Sequence, residues 1–155
     1  MFVSFRARRY TLVKGSINFN NDTAPVCLPN ANSTYDPDEL CTLSGFGQIN
    51  ATDKTSSTLL WAVKVPIIPS RDCKKESIRG RLVKNGMICA GGLDGTGGFR
   101  GQCKGDSGGP LTCNDPEDDD EAVLFGLVSW GSCGDKPGVL VDVKYYLQWI
   151  HDNLE

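Results

Sequence analysis

Residues 101–110 read GQCKGDSGGP, a stretch that sets Ser107 among four glycines and flanks it with Cys103, Asp106 and Pro110. Small neighbours let backbone amides approach a bound group closely. The N–H groups of Gly105 and Ser107 can therefore converge on a single carbonyl oxygen. Such an arrangement stabilises a developing negative charge by roughly 3 to 4 kcal/mol per donor. A glycine-serine turn taken alone reads as an ordinary β turn. The cysteine, the acid and the proline around Ser107 tip the reading toward a site that does chemistry.

Working outward, the chain is built from short apolar or alternating runs. Leu59 to Ile68, Gly86 to Ala90, Ala122 to Trp130 and Val139 to Val143 are separated by clusters of glycine, proline, asparagine and aspartate. That pattern predicts an all-β domain. Eighteen glycines and eight prolines in 155 residues suit a closed barrel or sandwich with tight turns and not a helical bundle. The end of the chain differs. From Lys144 to Leu154 the apolar Leu147, Ile150 and Leu154 keep helical spacing, with Lys144, Gln148, Asp152 and Glu155 on another face. A terminal amphipathic helix docked on the β domain is expected. The first 25 or so residues read as irregular, and no internal repeat appears.

Length and a hydrophobic content of 39% fit one globular domain. A net charge of −3 excludes the basic footprint of a nucleic-acid binder or of a polybasic membrane anchor, and no stretch is apolar enough to span a bilayer. The acidic run at 115–121, DPEDDDE, reads as a solvated loop. Seven cysteines without a CxxC pair, and one histidine, do not make a zinc site; no metal or cofactor is expected. Six of the seven can close three bridges in an oxidising compartment. Sequons at Asn21, Asn32 and Asn50 point the same way, so the protein is expected to be secreted and extracellular. The prefix MFVSFRARRY lacks the apolar core of an export signal. Residues 1–10 are accordingly expected to be an aberrant or irregular segment, with sequence missing before a domain at 11–155.

The segment CKGDSGGP resembles the nucleophile signature of the chymotrypsin and trypsin family of serine proteases. Further pieces similar to that family follow in its order: APVCLP at 24–29, CTLSGFG at 41–47, MICAGG at 87–92, VSWGSC at 128–133 and KPGVLVDV at 136–143. The closing YYLQWIHDNL is similar to the family's terminal helix. The resemblance implies a Greek-key β-barrel, the C-terminal barrel of a two-barrel fold, with a C-terminal α-helix. It implies Ser107 as nucleophile, Gly105 in the oxyanion hole and peptide or protein substrates. It also implies bridges Cys41–Cys113, Cys73–Cys89 and Cys103–Cys133. Cys27 is then the odd one, matching a cysteine that in many relatives bridges to a light chain or propeptide, so a missing N-terminal barrel or light chain is an implied partner.

A serine hydroxyl needs a base, which in this family is a histidine oriented by an aspartate. Here the one histidine, His151, sits in the terminal helix beside Asp152 and reads as a solvent-exposed helix residue. Nothing resembles the TAAHC segment that carries the family's base, and Arg9 falls where the family's aspartate belongs. The isolated chain is therefore expected to be inactive. Asp106 matches the acid that pairs with a freed IVGG-like amino terminus in the matured enzyme, and no such terminus occurs in the sequence. Without a cationic partner Asp106 is expected to turn to solvent or take up a proton.

The substrate-binding positions implied by the resemblance are Gly101, Gln102, Lys104, Ser129, Trp130, Gly131 and Gly138. Glycine at 101, where relatives that cut after lysine or arginine carry aspartate, disfavours cationic side chains. Gly131 and Gly138 match the two walls of the slot and imply one open to bulky apolar groups, with Arg100 and Asp135 near its expected rim. Ser129 to Gly131 is expected to offer its backbone edge to substrate. The alternative to a partial endopeptidase is a non-catalytic homologue acting as a binding or regulatory module. A stand-alone disulfide-stapled β domain is a third reading, and a barrel without its mate is expected to self-associate through an exposed apolar face.

Overall fold

The structure is a computed structural model that describes residues 16–30, 32–34, 40–68, 70–76, 80–93, 98–114, 122–131, 133 and 136–153. The expectations placed on the prefix 1–10 with Arg9, on the acidic run 115–121, on Asp135 and on Leu154 lie outside these residues.

Strand β1 (Leu40–Gly45) alternates in the way a half-buried strand must, with Cys41 and Leu43 inward. β2 (Trp61–Ile68) sends Val65 and Ile67 into the same core. A short helix, α1 (Ser70–Glu76), follows. After a 3₁₀ turn at Gly80–Leu82 come β3 (Met87–Ala90), the small hairpin β4 (Gly92–Leu93) and β5 (Phe99–Arg100), then β6 (Pro110–Asn114), β7 (Ala122–Trp130) and β8 (Gly138–Asp142). The six longer strands close into an antiparallel barrel in the order β1-β2-β3-β8-β7-β6. A six-stranded closure leaves no exposed edge.

Inside it, Leu43, Val65, Ile67, Ile88, Leu111, Phe125 and Leu140 form one cluster. The family of runs expected from periodicity corresponds to β2, β3, β7 and β8, each within two residues at either end. β1 and β6 are added by the tertiary fold. The terminal segment begins as a 3₁₀ turn at Lys144–Tyr146 and becomes α2 (Leu147–Asp152), in which Ile150 is buried.

Three bridges staple the barrel: Cys41–Cys113 joins β1 to β6, Cys73–Cys89 joins α1 to β3, and Cys103–Cys133 joins the loops around Ser107 and after β7. These are the pairs implied by the resemblance. Cys27 takes part in none of them; its segment runs beside β7 through a parallel bridge to Val123, and its carbonyl accepts the Leu124 N–H at 2.9 Å.

The Cys41–Cys113 bridge spans 72 residues, so in the chain-entropy model it contributes about 4 kcal/mol. Replacing both cysteines by alanine is expected to lower the unfolding free energy by about that amount, read from urea denaturation against the parent chain. A loss under about 1 kcal/mol would mean that the unfolded chain is already constrained.

Candidate active site

The Ser107 loop is two consecutive turns between β5 and β6. The Asp106 N–H donates to the Cys103 carbonyl at 3.2 Å and the Gly109 N–H to the Asp106 carbonyl at 2.8 Å. Ser107 sits at the crest between them, exposed. Gly105 lies at φ +99° and Gly108 at φ +84°, in the region that side chains rarely adopt. A Cβ on Gly105 would also lie 3.0 Å from the Gly47 Cα. These two positions require glycine.

The loop is sewn to the barrel on two sides. Toward β7, the Gly108 N–H donates to the Val128 carbonyl at 2.8 Å and the Val128 N–H returns to the Gly109 carbonyl at 2.9 Å. On the side of β1, the Gln48 N–H donates to the Lys104 carbonyl at 2.8 Å. The N–H groups of Gly105 and Ser107, by contrast, have no protein acceptor among the described residues, nor does the Ser107 hydroxyl a partner. Two unspent donors thus flank an exposed hydroxyl, which is the geometry able to receive an oxyanion.

Asp106 departs from expectation. Its carboxylate does not turn to solvent: Oδ1 accepts the Gly47 N–H and Oδ2 the Cys103 N–H, each at 2.8 Å. Two backbone N–H groups partner the carboxyl oxygens, and among the described residues no ion pair involves Asp106. The carboxylate borders a cavity of about 240 Å³ lined by Gly45, Gly47, Trp61 and Gly101 among others. The sequence reading overlooked this role for CTLSGFG. Its signal is the glycine pair, because a Cβ on Gly45 or Gly47 would collide with the Asp106 carboxylate.

A second cleft, of about 380 Å³, opens beside Ser107. It gathers Gln102, Lys104, Ser107, Ser129, Trp130 and Gly131. Three of the candidate catalytic and substrate-binding positions do not line it: Gly105, Gly101, which faces the cavity of Asp106, and Gly138, which lies behind Gln102. The glycine walls do not enclose an open slot. The Gln102 side chain occupies the space between them, so that a Cβ on Gly131 would lie 3.1 Å from its Nε2 and one on Gly138 would overlap its amide. Ser129 is exposed at the rim, where the register of β7 against β8 shifts between Val128 and Trp130. His151 is exposed on α2 and does not line the cleft. Asn21, Asn32 and Asn50 are all exposed.

The family model described as Trypsin matches residues 10–150. Coagulation factor XII of Sus scrofa is 42% identical over 134 residues, which cover 83% of this chain and 21% of that protein. Transmembrane protease serine 11A of Homo sapiens is 38% identical over 151 residues, 93% of this chain and 35% of that protein. Tissue-type plasminogen activator of Pongo abelii is 39% identical over 135 residues, 83% of this chain and 24% of that protein. The chain thus spans between about a fifth and a third of the length of these relatives.

Asp106→Asn keeps the shape of the side chain but sets an NH₂ group against one of two amide donors. It is expected to destabilise the fold by about 1.5–3 kcal/mol, and to speed hydrogen exchange at Gly47 and Cys103 before other amides. Unchanged exchange at both would show that the carboxylate does not hold the loop.

Proposed function

The chain belongs to the trypsin family of serine proteases, and from that premise we propose that it carries the nucleophile and substrate cleft of a serine endopeptidase acting on peptide or protein substrates. The observation that carries this reading is the Ser107 hydroxyl, exposed beside the unspent N–H groups of Gly105 and Ser107. In the proposed reaction the Ser107 Oγ attacks the scissile carbonyl carbon as its proton passes to a base. The carbonyl oxygen, now negative, takes hydrogen bonds from the two amides. Collapse expels the amine, which leaves with a proton from the same base, and water then hydrolyses the acyl ester.

The base itself is not among these 155 residues. Their one histidine is His151, exposed on α2 and outside the cleft. Loss of the base costs a serine protease about a millionfold in turnover, so we place the histidine and its aspartate on a first barrel or partner chain and take the present chain to be inactive alone. Cys27, outside the three bridges, is a candidate link to that partner. The apolar side chains of Leu59, Leu60 and Trp61, all more than half exposed, offer surface for it to cover. We assign to Asp106 the pairing with a freed amino terminus, entering through the cavity at its carboxylate. Gln102, Lys104 and the Ser129–Gly131 edge are assigned to substrate binding. An extracellular setting suits the three bridges, and none of the described helices is long and apolar enough to cross a membrane.

The test is complementation. The chain alone is expected to leave a casein substrate uncut. Joined to a trypsin-family first barrel with its own histidine, aspartate and freed amino terminus, it is expected to gain hydrolysis that Ser107→Ala abolishes. Cleavage by the chain alone would overturn the placement of the base. A folded, joined protein that binds casein without cutting it would favour the non-catalytic binding module, the reading supported by a formed cleft in a chain without a usable histidine.

A further inference from the structure

The cleft beside Ser107 ends on an amide. Gln102 is 5% exposed and is the sole buried polar or charged residue among those described. Its Nε2 donates to the Trp130 carbonyl at 2.9 Å, whereas its Oε1 is buried without a hydrogen-bond partner among the described residues. A buried carbonyl left in that state is destabilising, and native structures tolerate few of them without a functional reason. The fold holds this amide in place: Gly131 and Gly138 have no side chains, and the space they leave is the space Gln102 fills. The same side chain lines the cleft.

The remaining lining narrows what can enter. Val128, Trp130 and Gly131 supply apolar walls for the stem of a side chain. Among the described residues no carboxylate lines the cleft, and the one charged group there is the exposed ammonium of Lys104. Among those residues a cationic side chain would meet a like charge and no counter-charge; an acidic one would draw the exposed Lys104 ammonium but set an acceptor against the buried Gln102 carbonyl oxygen.

We propose that Gln102 determines specificity at this cleft by selecting an uncharged side chain that ends in a hydrogen-bond donor, such as glutamine or tyrosine, whose N–H or O–H supplies the partner missing from Oε1. Oε1 lies against Gly138, and the soft terminal torsion of a glutamine lets it turn from there toward an arriving donor. The proposal rests on the reading of the cleft as the substrate-binding site, and it replaces the open apolar slot that glycine walls alone imply.

Binding can be tested on the full 155-residue chain without hydrolysis. The probes are acetyl-Ala-Ala-X peptide amides in matched pairs, X being glutamine or methionine, tyrosine or phenylalanine, and lysine separately. Dissociation constants are read from the ¹⁵N amide resonances of Ser107, Ser129 and Gly131 and from the Gln102 side-chain NH₂. Glutamine is expected to bind roughly tenfold more tightly than methionine, and tyrosine than phenylalanine, with lysine the weakest. Gln102→Met keeps the length of the side chain and removes both amide atoms, and there each preference is expected to shrink to about twofold or less. Equal binding within the pairs, tightest binding by lysine, or preferences that survive in Gln102→Met would overturn the proposal while leaving the cleft as the binding site. If no peptide moves Ser107, Ser129 or Gly131, the cleft reading itself fails, and this inference with it.

Discussion

The seam between β1 and β6 is the constraint on which the site hangs. Thr42 pairs with Thr112 and Leu43 with Leu111, antiparallel, and the Cys41–Cys113 bridge locks the same junction. These are strands some 70 residues apart in sequence, so their pairing costs loop entropy that only the completed core offsets. Closing the seam brings the end of β1, with its SGFG turn, against the loop that precedes β6. Asp106 then finds the Gly47 amide, and Lys104 offers its carbonyl to Gln48. A barrel left open at this point would keep its strands but lose the support beneath Ser107.

Hydrogen-bond accounting separates the structural from the chemical part of the loop. Four backbone N–H groups in or beside it, those of Asp106, Gly108, Gly109 and Val128, all have carbonyl acceptors. The carboxylate of Asp106 consumes two more donors, from Gly47 and Cys103. Among the described residues the N–H groups of Gly105 and Ser107 have no protein acceptor. Gly105 and Gly108 sit at positive φ, a conformation that glycine adopts freely and other residues rarely do.

The legible part of this protein was short-range. Apolar alternation located β2, β7 and β8 because each carries β-branched or aromatic residues at period two, and β3 was visible as a short apolar run, MICA. β1 and β6 escaped that pattern for identifiable reasons: LCTLSG mixes small polar residues into its outward face, and PLTCN opens on a proline, which argues against a strand interior. The terminal helix was visible from Leu147 and Ile150, but its first turn is 3₁₀, a distinction that hydrophobic spacing does not encode. Ser107, Gly105 and Asp106 stood out from the motif, and so did the edge at Ser129–Gly131.

What the sequence determined by itself, then, was the make-up of one turn: a serine between glycines that leave the backbone free to adopt positive φ, beside an acid and a cysteine that anchor it. Motif and backbone freedom are local properties, and local properties survive in a linear string. What only the tertiary structure decided was where long side chains go. Asp106 turned inward because closure of the barrel delivered the Gly47 amide to it. Gln102 filled the space between Gly131 and Gly138 because residues 30 or so positions apart converge there, with Trp130 offering the carbonyl that holds its Nε2. Spacing along the chain marks which glycines are small. It takes packing in three dimensions to say what occupies the room they leave.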